Sequence, residues 1–361
     1  MRQRDLLAGV VAIAAMAGCG GGPPKEVPTA TFATPADTLL TRYVNVPAAA
    51  WLGGERWAVV AGEFNEAGVA DFGAGRLQPV GGRGEAELRN PFGVFSWADT
   101  AFVSDWALRR VSRWTSAGQF VGATSSAAAL RGAFPVARDA AGRFYFEVKP
   151  PSGQDEQARD SAAVVRSDPG MSGFDTLARL SPLDLAEVED RAGRRFERRV
   201  FSGEDHWGVQ RDGTVWIARV YQNLILRIAP DGHPAKGPSL PDRVLEVTRT
   251  DREHFVLQFP EELQSTADRI PVAAVKPPFE HALGAPNGEI WLEKSRSALD
   301  SVRTYQVADS SGVLSHVVIL PSRQGRVIAL GDTLALVAEQ YKEGVRLMQL
   351  RIPRPTAASA P

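Results

Sequence analysis

Six turn-plus-strand units recur along this chain, and that recurrence limits its possible folds more than any other feature. Each unit is a turn residue followed by a short β-branched or aromatic run. They occupy residues 54–60, 99–105, 142–147, 212–218, 287–293 and 331–337. Measured from Gly54, Thr100, Gly142, Gly213, Gly288 and Gly331, the intervals are 46, 42, 71, 75 and 43 residues. Three fit a period near 43, and the two long ones each hold a unit plus an insertion of roughly 30 residues. A second signature follows several units: a strand, a glycine-centred turn and another strand, at residues 110–121, 224–232 and 304–314. Glycine suits those turns because hairpins need positive φ at one or both central positions. Four short strands per period of about 40–50 residues mark a β-propeller blade. The expected fold is all-β, a six-bladed propeller of four-stranded antiparallel blades. An open ring would expose strand edges. An N-terminal strand is therefore expected to close it, with residues 42–46 pairing against the last blade, whose strand-forming stretch ends at 345–352.

Composition agrees. The 361 residues are 44% hydrophobic and 23% charged, average values for a soluble globular protein. With 41 Lys+Arg against 42 Asp+Glu, the chain lacks the positive excess that phosphate neutralisation requires, so nucleic acid is not an expected partner. A single cysteine excludes a disulfide scaffold and a thiolate zinc site.

That cysteine, Cys19, has an informative position. Arg2 and Arg4 precede an uncharged apolar run from Leu6 to Ala17, too short to cross a bilayer of about 30 Å. The run fits the apolar region of a secretory signal peptide. Met16-Ala17-Gly18-Cys19 resembles a bacterial lipobox, with Met where Leu is usual. The resemblance implies cleavage before Cys19 and a diacylglycerol on its thiol. Residues 20–36 hold three Gly and four Pro with few apolar side chains, the composition of a tether. The expected organisation is a signal peptide at 1–18, a lipidated Cys19 and tether at 19–40, a propeller at 41–353 and a disordered tail at 354–361. Gly20 after the cysteine resembles lipoproteins sent to the outer membrane, so the expected location is the cell envelope, membrane-bound through the N-terminal lipid.

Residues 90–94 and 103–111, running from Asn-Pro-Phe-Gly-Val to Val-Ser-Asp-Trp-Ala-Leu-Arg-Arg-Val, resemble the NHL-type repeat. Residues 81–88 resemble a shortened form of the Gly-rich bridge between blades in bacterial six-bladed propeller lipoproteins. Residues 213–218 and 226–232 follow the same plan. The resemblance spans roughly residues 48–353 and implies the fold. Its family hosts binding proteins, lactonases and lyases alike, so it does not choose an activity.

A search for chemistry returns little. His206, His233, His254, His281 and His316 are dispersed, none within three to five residues of another, so no local zinc pair exists. Residues 170–173 lack the spacing of a nucleophile elbow. Residues 73–78 lack the third glycine of a dinucleotide loop. The dense run at 184–199, with five acids and five arginines, reads as a solvated hairpin turning at 191–194. Residues 150–160 read as an exposed loop, and 260–267 as a short helix with acidic residues in its first turn. Trp106, Trp207, Trp216 and Trp291 are expected mostly in the core, with Trp207 nearest the surface. If the recurring strands are innermost, the polar residues ending them face the channel mouth: Asp105, Arg110, Glu147, Arg219, Tyr221, Glu293 and Lys294. Such a mouth suits an anionic or sugar-like ligand. Asp105 and Arg110 also suit a structural pair, as NHL-type blades commonly join such residues across a loop.

The expected function is an envelope-anchored, non-catalytic module, monomeric and without a cofactor. It binds a protein or small-molecule partner at one propeller face. The alternative implied by the resemblance is a metal-dependent lactonase or lyase with a divalent cation held in the channel by carboxylates, Asn or His.

Overall fold

The computed structural model describes residues 27–35, 37–149, 162–190, 193–342 and 344–355. The signal run, Cys19, the 150–160 loop and residues 356–361 lie outside the described residues. Six small sheets form the six blades of a propeller. Blade 1 is Ala48–Trp51, Arg56–Ala61, Glu66–Asp71 and Arg76–Val80. Blade 2 is Pro91–Trp97, Thr100–Asp105, Arg110–Thr115 and Phe120–Ser125, and blade 3 is Pro135–Arg138, Phe144–Val148, Ala163–Ser167 and Phe174–Arg179. Blade 4 is His206–Val209, Val215–Arg219, Leu224–Ile228 and Pro234–Lys236. Blade 5 is Phe279–Gly284, Ile290–Lys294, Arg303–Ala308 and Leu314–Leu320, and blade 6 contributes Arg326–Leu330, Leu334–Tyr341 and Gly344–Arg351.

Every recurring run in the sequence is the second strand of a blade. The first strands, not these, touch one another in succession around the axis, from blade 1 to blade 6 and back to blade 1. This corrects the expectation that the recurring strands are innermost. The reason is burial. Second strands are covered on both faces by neighbouring blades, so Trp57, Val59, Val60 and Ala61 are all fully buried and the run is continuously apolar. First strands have one face on the channel, and His206–Val209 is only half-buried throughout. The louder hydrophobic signal therefore came from one strand further out.

Closure also differs from expectation in detail. An N-terminal strand does close the ring, but it is Asp37–Leu40, antiparallel to Gly344–Arg351, with the Thr41 N–H donating to the Val345 carbonyl at 3.0 Å. Residues 42–46 form no strand. Tyr43 and Val46 instead turn inward and pack with Trp57, Phe72 and Leu336 between blades 1 and 6. Upstream, Thr29–Thr31 adds a fifth, parallel strand to blade 5, and Phe32 packs on Trp291 at 6.1 Å between ring centroids. The described part of the expected tether thus belongs to the ring, because Ala30, Phe32 and Leu39 supply enough apolar surface to be buried. At the other end, Arg354 of the expected tail pairs with Glu289 of blade 5.

The 150–160 insertion falls within blade 3, between Phe144–Val148 and Ala163–Ser167, and the charged hairpin and the second insertion sit between blades. Leu185–Asp190 and Gly193–Arg198 form the expected charged hairpin between blades 3 and 4. Between blades 4 and 5 lie two helices, α1 (Arg249–Val256) and α2 (Glu261–Ala267). The acidic start of α2 was legible. The start of α1 is a capping box in which Thr248 and Asp251 bond each other's backbone N–H. Asp251 is buried and also takes the Lys276 ammonium at 2.6 Å, tying the helices to blade 5. Trp216 and Trp291 are core residues as expected, whereas Trp106 is 62% exposed, at a loop tip where nothing packs over it.

Candidate functional site

All first strands run the same way, so the channel has a start end and a turn end, the latter where each first strand turns into its second. The seven sequence-predicted residues lie at the start end. They sit on second strands or just beyond, set back from the axis. Asp105 is buried and accepts backbone N–H groups from Arg89 (2.7 Å), Asn90 (3.2 Å) and Leu108 (2.9 Å). Arg110 donates to the carbonyls of Glu85 (2.8 Å) and Glu87 (2.7 Å). Together the two fasten the bridge between blades 1 and 2. Arg219 repeats the device, bonding the Asp205 carboxylate at 2.7 Å and the Arg179 carbonyl at 2.8 Å. Glu147 accepts the Trp207 indole N–H at 2.9 Å across blades 3 and 4. Arg303 and Arg326 clasp Glu293, and Lys294 bonds Asp242 at 2.5 Å. Tyr221 is 57% exposed. Among the described residues, no hydrogen bond or ion pair joins any two of the seven side chains. They are not one ligand-facing cluster.

What the start end does assemble is a pair of histidines the sequence reading left apart. His206 opens the first strand of blade 4 and His281 is the third residue of blade 5's first strand, with ring centroids 4.7 Å apart at 81°. The His206 Nε2 donates to the Glu280 carbonyl across 3.1 Å. Burial pushes both imidazoles down, His281 to about 3 with help from the nearby Arg326 and His206. Loss of solvent around it pushes the Glu280 carboxyl up, with Glu293 adding repulsion. A signal existed for the pair: His206 and His281 each stand seven residues before their repeat's turn glycine, Gly213 and Gly288.

The turn end holds a cavity of about 720 Å³ on the propeller axis. Trp51, Trp97, Trp207 and Trp216 line it, with Leu283 and Ile328 on its apolar wall and Arg138, Arg211, Asp99 and Asp332 as charged groups. Trp216 lies flat under two inner strands. A Cβ on Gly208 or Gly284 would fall 2.7 and 2.8 Å from its indole, so both positions require glycine. Trp51 packs on Gly331 in the same manner and donates its Nε1–H to the Gly54 carbonyl at 2.9 Å. Arg211 reaches from blade 4 past blade 3 to stack over Trp97 of blade 2 at 5.7 Å. Arg138 stacks over Phe144 at 5.3 Å. Neither guanidinium has a carboxylate within 4 Å among the described residues. Burial alone would push the Glu289 carboxyl up, but the Arg354 guanidinium and Asn287 hold it below its ordinary range. Of the lining residues only Trp207 and Trp216 were singled out, as core tryptophans; Trp51 and Trp97 were not, although both stand three residues before their repeat's turn at Gly54 and Thr100.

Among the described residues, no group of three or more His, Cys, Asp or Glu side chains is placed to hold a metal ion. None of the described helices is long and apolar enough to cross a membrane.

These features define a six-bladed β-propeller with an aromatic, arginine-bearing axial cavity. No family model matches the chain, and no curated protein matches it. Among solved structures it is similar to a member of the DUF4221 family from Bacteroides vulgatus, at 9% identity over 90% of this chain and 98% of that one, with a TM-score of 0.52. It is also similar to the calcium-binding protein regucalcin from Agrobacterium tumefaciens, at 10% identity over 90% and 97% of the two chains and a TM-score of 0.45. A third is virginiamycin B lyase from Staphylococcus aureus, at 10% identity over 87% and 98% and a TM-score of 0.45. At such identities the likeness is one of fold.

Proposed function

We propose that this protein is a non-catalytic binding propeller, held at the cell envelope by a lipid on Cys19, and that its ligand seat is the axial cavity at the turn end. The observation that carries the reading is the cavity itself. A space of about 720 Å³ walled by indoles, with a few polar groups converging on it, has the size and lining of a small-molecule site. The start end supports the same reading from the other side, because Asp105, Arg110, Arg219, Glu293 and Lys294 are engaged with other side chains and with backbone. The divalent-cation lactonase or lyase alternative would need several oxygen or imidazole ligands around one point, and the ion titrations test it. The reading takes the module to be monomeric and to work without a cofactor or nucleic acid.

The test is calorimetry on the protein from Val27 onward. Ca²⁺ and Zn²⁺ are titrated first, then a panel of amino acids, saccharides and aromatic acids, in wild type and Trp97→Ala. Binding of a panel compound that survives chelator and is lost in Trp97→Ala is the expected result. Compound binding that requires the ion would move the seat to a metal site and overturn the reading. The anchor is tested separately by fractionating cells that express the full chain. Cys19→Ala should move the protein from the membrane fraction to the soluble one, and an unchanged membrane fraction would retire the lipid.

A further inference from the structure

We infer that the ligand of the axial cavity is a zwitterion carrying a flat apolar ring, chemically an aromatic amino acid. This inference rests on the cavity being the ligand seat. It starts from charges that the protein leaves unpaired. Arg138 lies on the first strand of blade 3 and Arg211 in the turn following the first strand of blade 4. The two turns are joined by the Ala140 N–H donating to the Arg211 carbonyl at 3.0 Å. Among the described residues, Arg138 makes one hydrogen bond, from Nε to the Gly142 carbonyl at 3.4 Å, and Arg211 has only its stacking contact on Trp97. Stacking fixes a guanidinium plane while leaving its terminal N–H edge free, which is the edge that grips a carboxylate.

The opposite sign is present too. Asp332 lies in the turn of blade 6, across the axis from blade 3, and has no hydrogen-bond or ion-pair partner among the described residues. Asp99, in the turn of blade 2, has only the Thr100 hydroxyl at 3.5 Å among the described residues. Glu289, the third acid on the lining, is taken by Arg354. The cavity therefore offers two open guanidiniums and two open carboxylates. A simple anion would satisfy the arginines but bring its charge into a cavity that also holds two carboxylates, and a simple cation would do the reverse. A dipolar molecule answers both. Between the charged groups stand Trp51, Trp97, Leu283 and Ile328, an apolar wall suited to a ring.

The test uses L-phenylalanine, phenylpropionate (no ammonium), phenethylamine (no carboxylate) and methyl glucoside (a neutral ring), titrated calorimetrically at pH 7. L-Phenylalanine should bind about 10- to 100-fold tighter than either single-charge analogue, the worth of one charge-assisted hydrogen bond. Arg211→Ala should remove its advantage over phenethylamine, and Asp332→Ala its advantage over phenylpropionate, with Arg211→Lys and thermal melts guarding against misfolding. Equal or tighter binding of a single-charge analogue overturns the zwitterion and leaves the cavity reading standing, as does a response to the glucoside alone. No binding of L-phenylalanine, L-tyrosine or L-tryptophan also overturns it. The cavity reading itself falls if compounds of the wider panel bind equally well to Trp97→Ala, or bind only when the ion is present.

Discussion

The two ends of the channel use the same residue types in opposite ways. At the start end, every carboxylate that ends a second strand or a bridge is spoken for: Asp105 by three N–H groups, Asp205 by Arg219 and two N–H groups, Glu293 by two arginines. At the turn end, Arg138, Arg211, Asp99 and Asp332 stand around an open cavity with no ion-pair partner among the described residues. A buried charge that is paired holds blades together, since removing one member strands the other in a low-dielectric interior. An unpaired charge facing a cavity contributes little to folding and remains available to a ligand. The difference teaches that polar residues at a propeller mouth are evidence of a site only after their partners have been counted.

The contrast can be broken by mutation. The largest effect should come from Lys276→Met at the start end. Lys276 bonds both Asp251 and the Arg296 carbonyl at 2.6 Å, and despite the upward push of burial these bonds and those from Thr248 hold Asp251 at about 2. Stranding Asp251 should cost about 3–5 kcal/mol, read as a lower urea midpoint. A loss below about 1 kcal/mol would mean the pair is not structural. Asp105→Ala should follow at roughly 2–4 kcal/mol, because three N–H groups lose their acceptor. If that variant melts like wild type, the bridge between blades 1 and 2 is held by something else.

The histidine pair gives the next effect. His281 has an ordinary value of 6.5 and is pushed down to about 3 in the fold, and His206 is shifted in the same direction. The unfolded chain therefore takes up protons below pH 6.5 that the folded chain refuses. Stability should fall as pH drops from 6.5 toward 5, a window above the carboxylate range, by up to about 2 kcal/mol from His281. His281→Gln should flatten that slope, and an unchanged slope would show that other groups carry it. The smallest effect belongs to the turn end. Arg211→Ala removes only a cation–π contact and should change stability by about 1 kcal/mol or less. A loss as large as that of Asp105→Ala would erase the distinction between the two ends.

Much of the fold was legible. All six second strands were found, because burial on both faces writes a continuous apolar run between turn residues, and the Gly118, Gly232 and Gly312 turns marked the outer hairpins. The charged hairpin after blade 3 and helix α2 were also readable. The radial order was not. Being innermost is a property of the closed ring, and the first strands, half facing a channel, carry a weaker hydrophobic signature than their neighbours. That error of one strand moved the predicted mouth residues away from the axis and left Trp51, Trp97, Arg138 and Arg211 unremarked.

The sequence by itself determined the repeat, the blade number, the strand chemistry and the lipobox resemblance at Cys19, since each is written in local pattern. Only the tertiary structure decided which strands face the axis, that Thr29–Thr31 and Asp37–Leu40 complete two blades, and which charges are left without partners. Those outcomes depend on contacts between residues far apart in the chain. His206 meets His281 and Arg211 crosses to Trp97 because adjacent blades, not adjacent residues, bring them together.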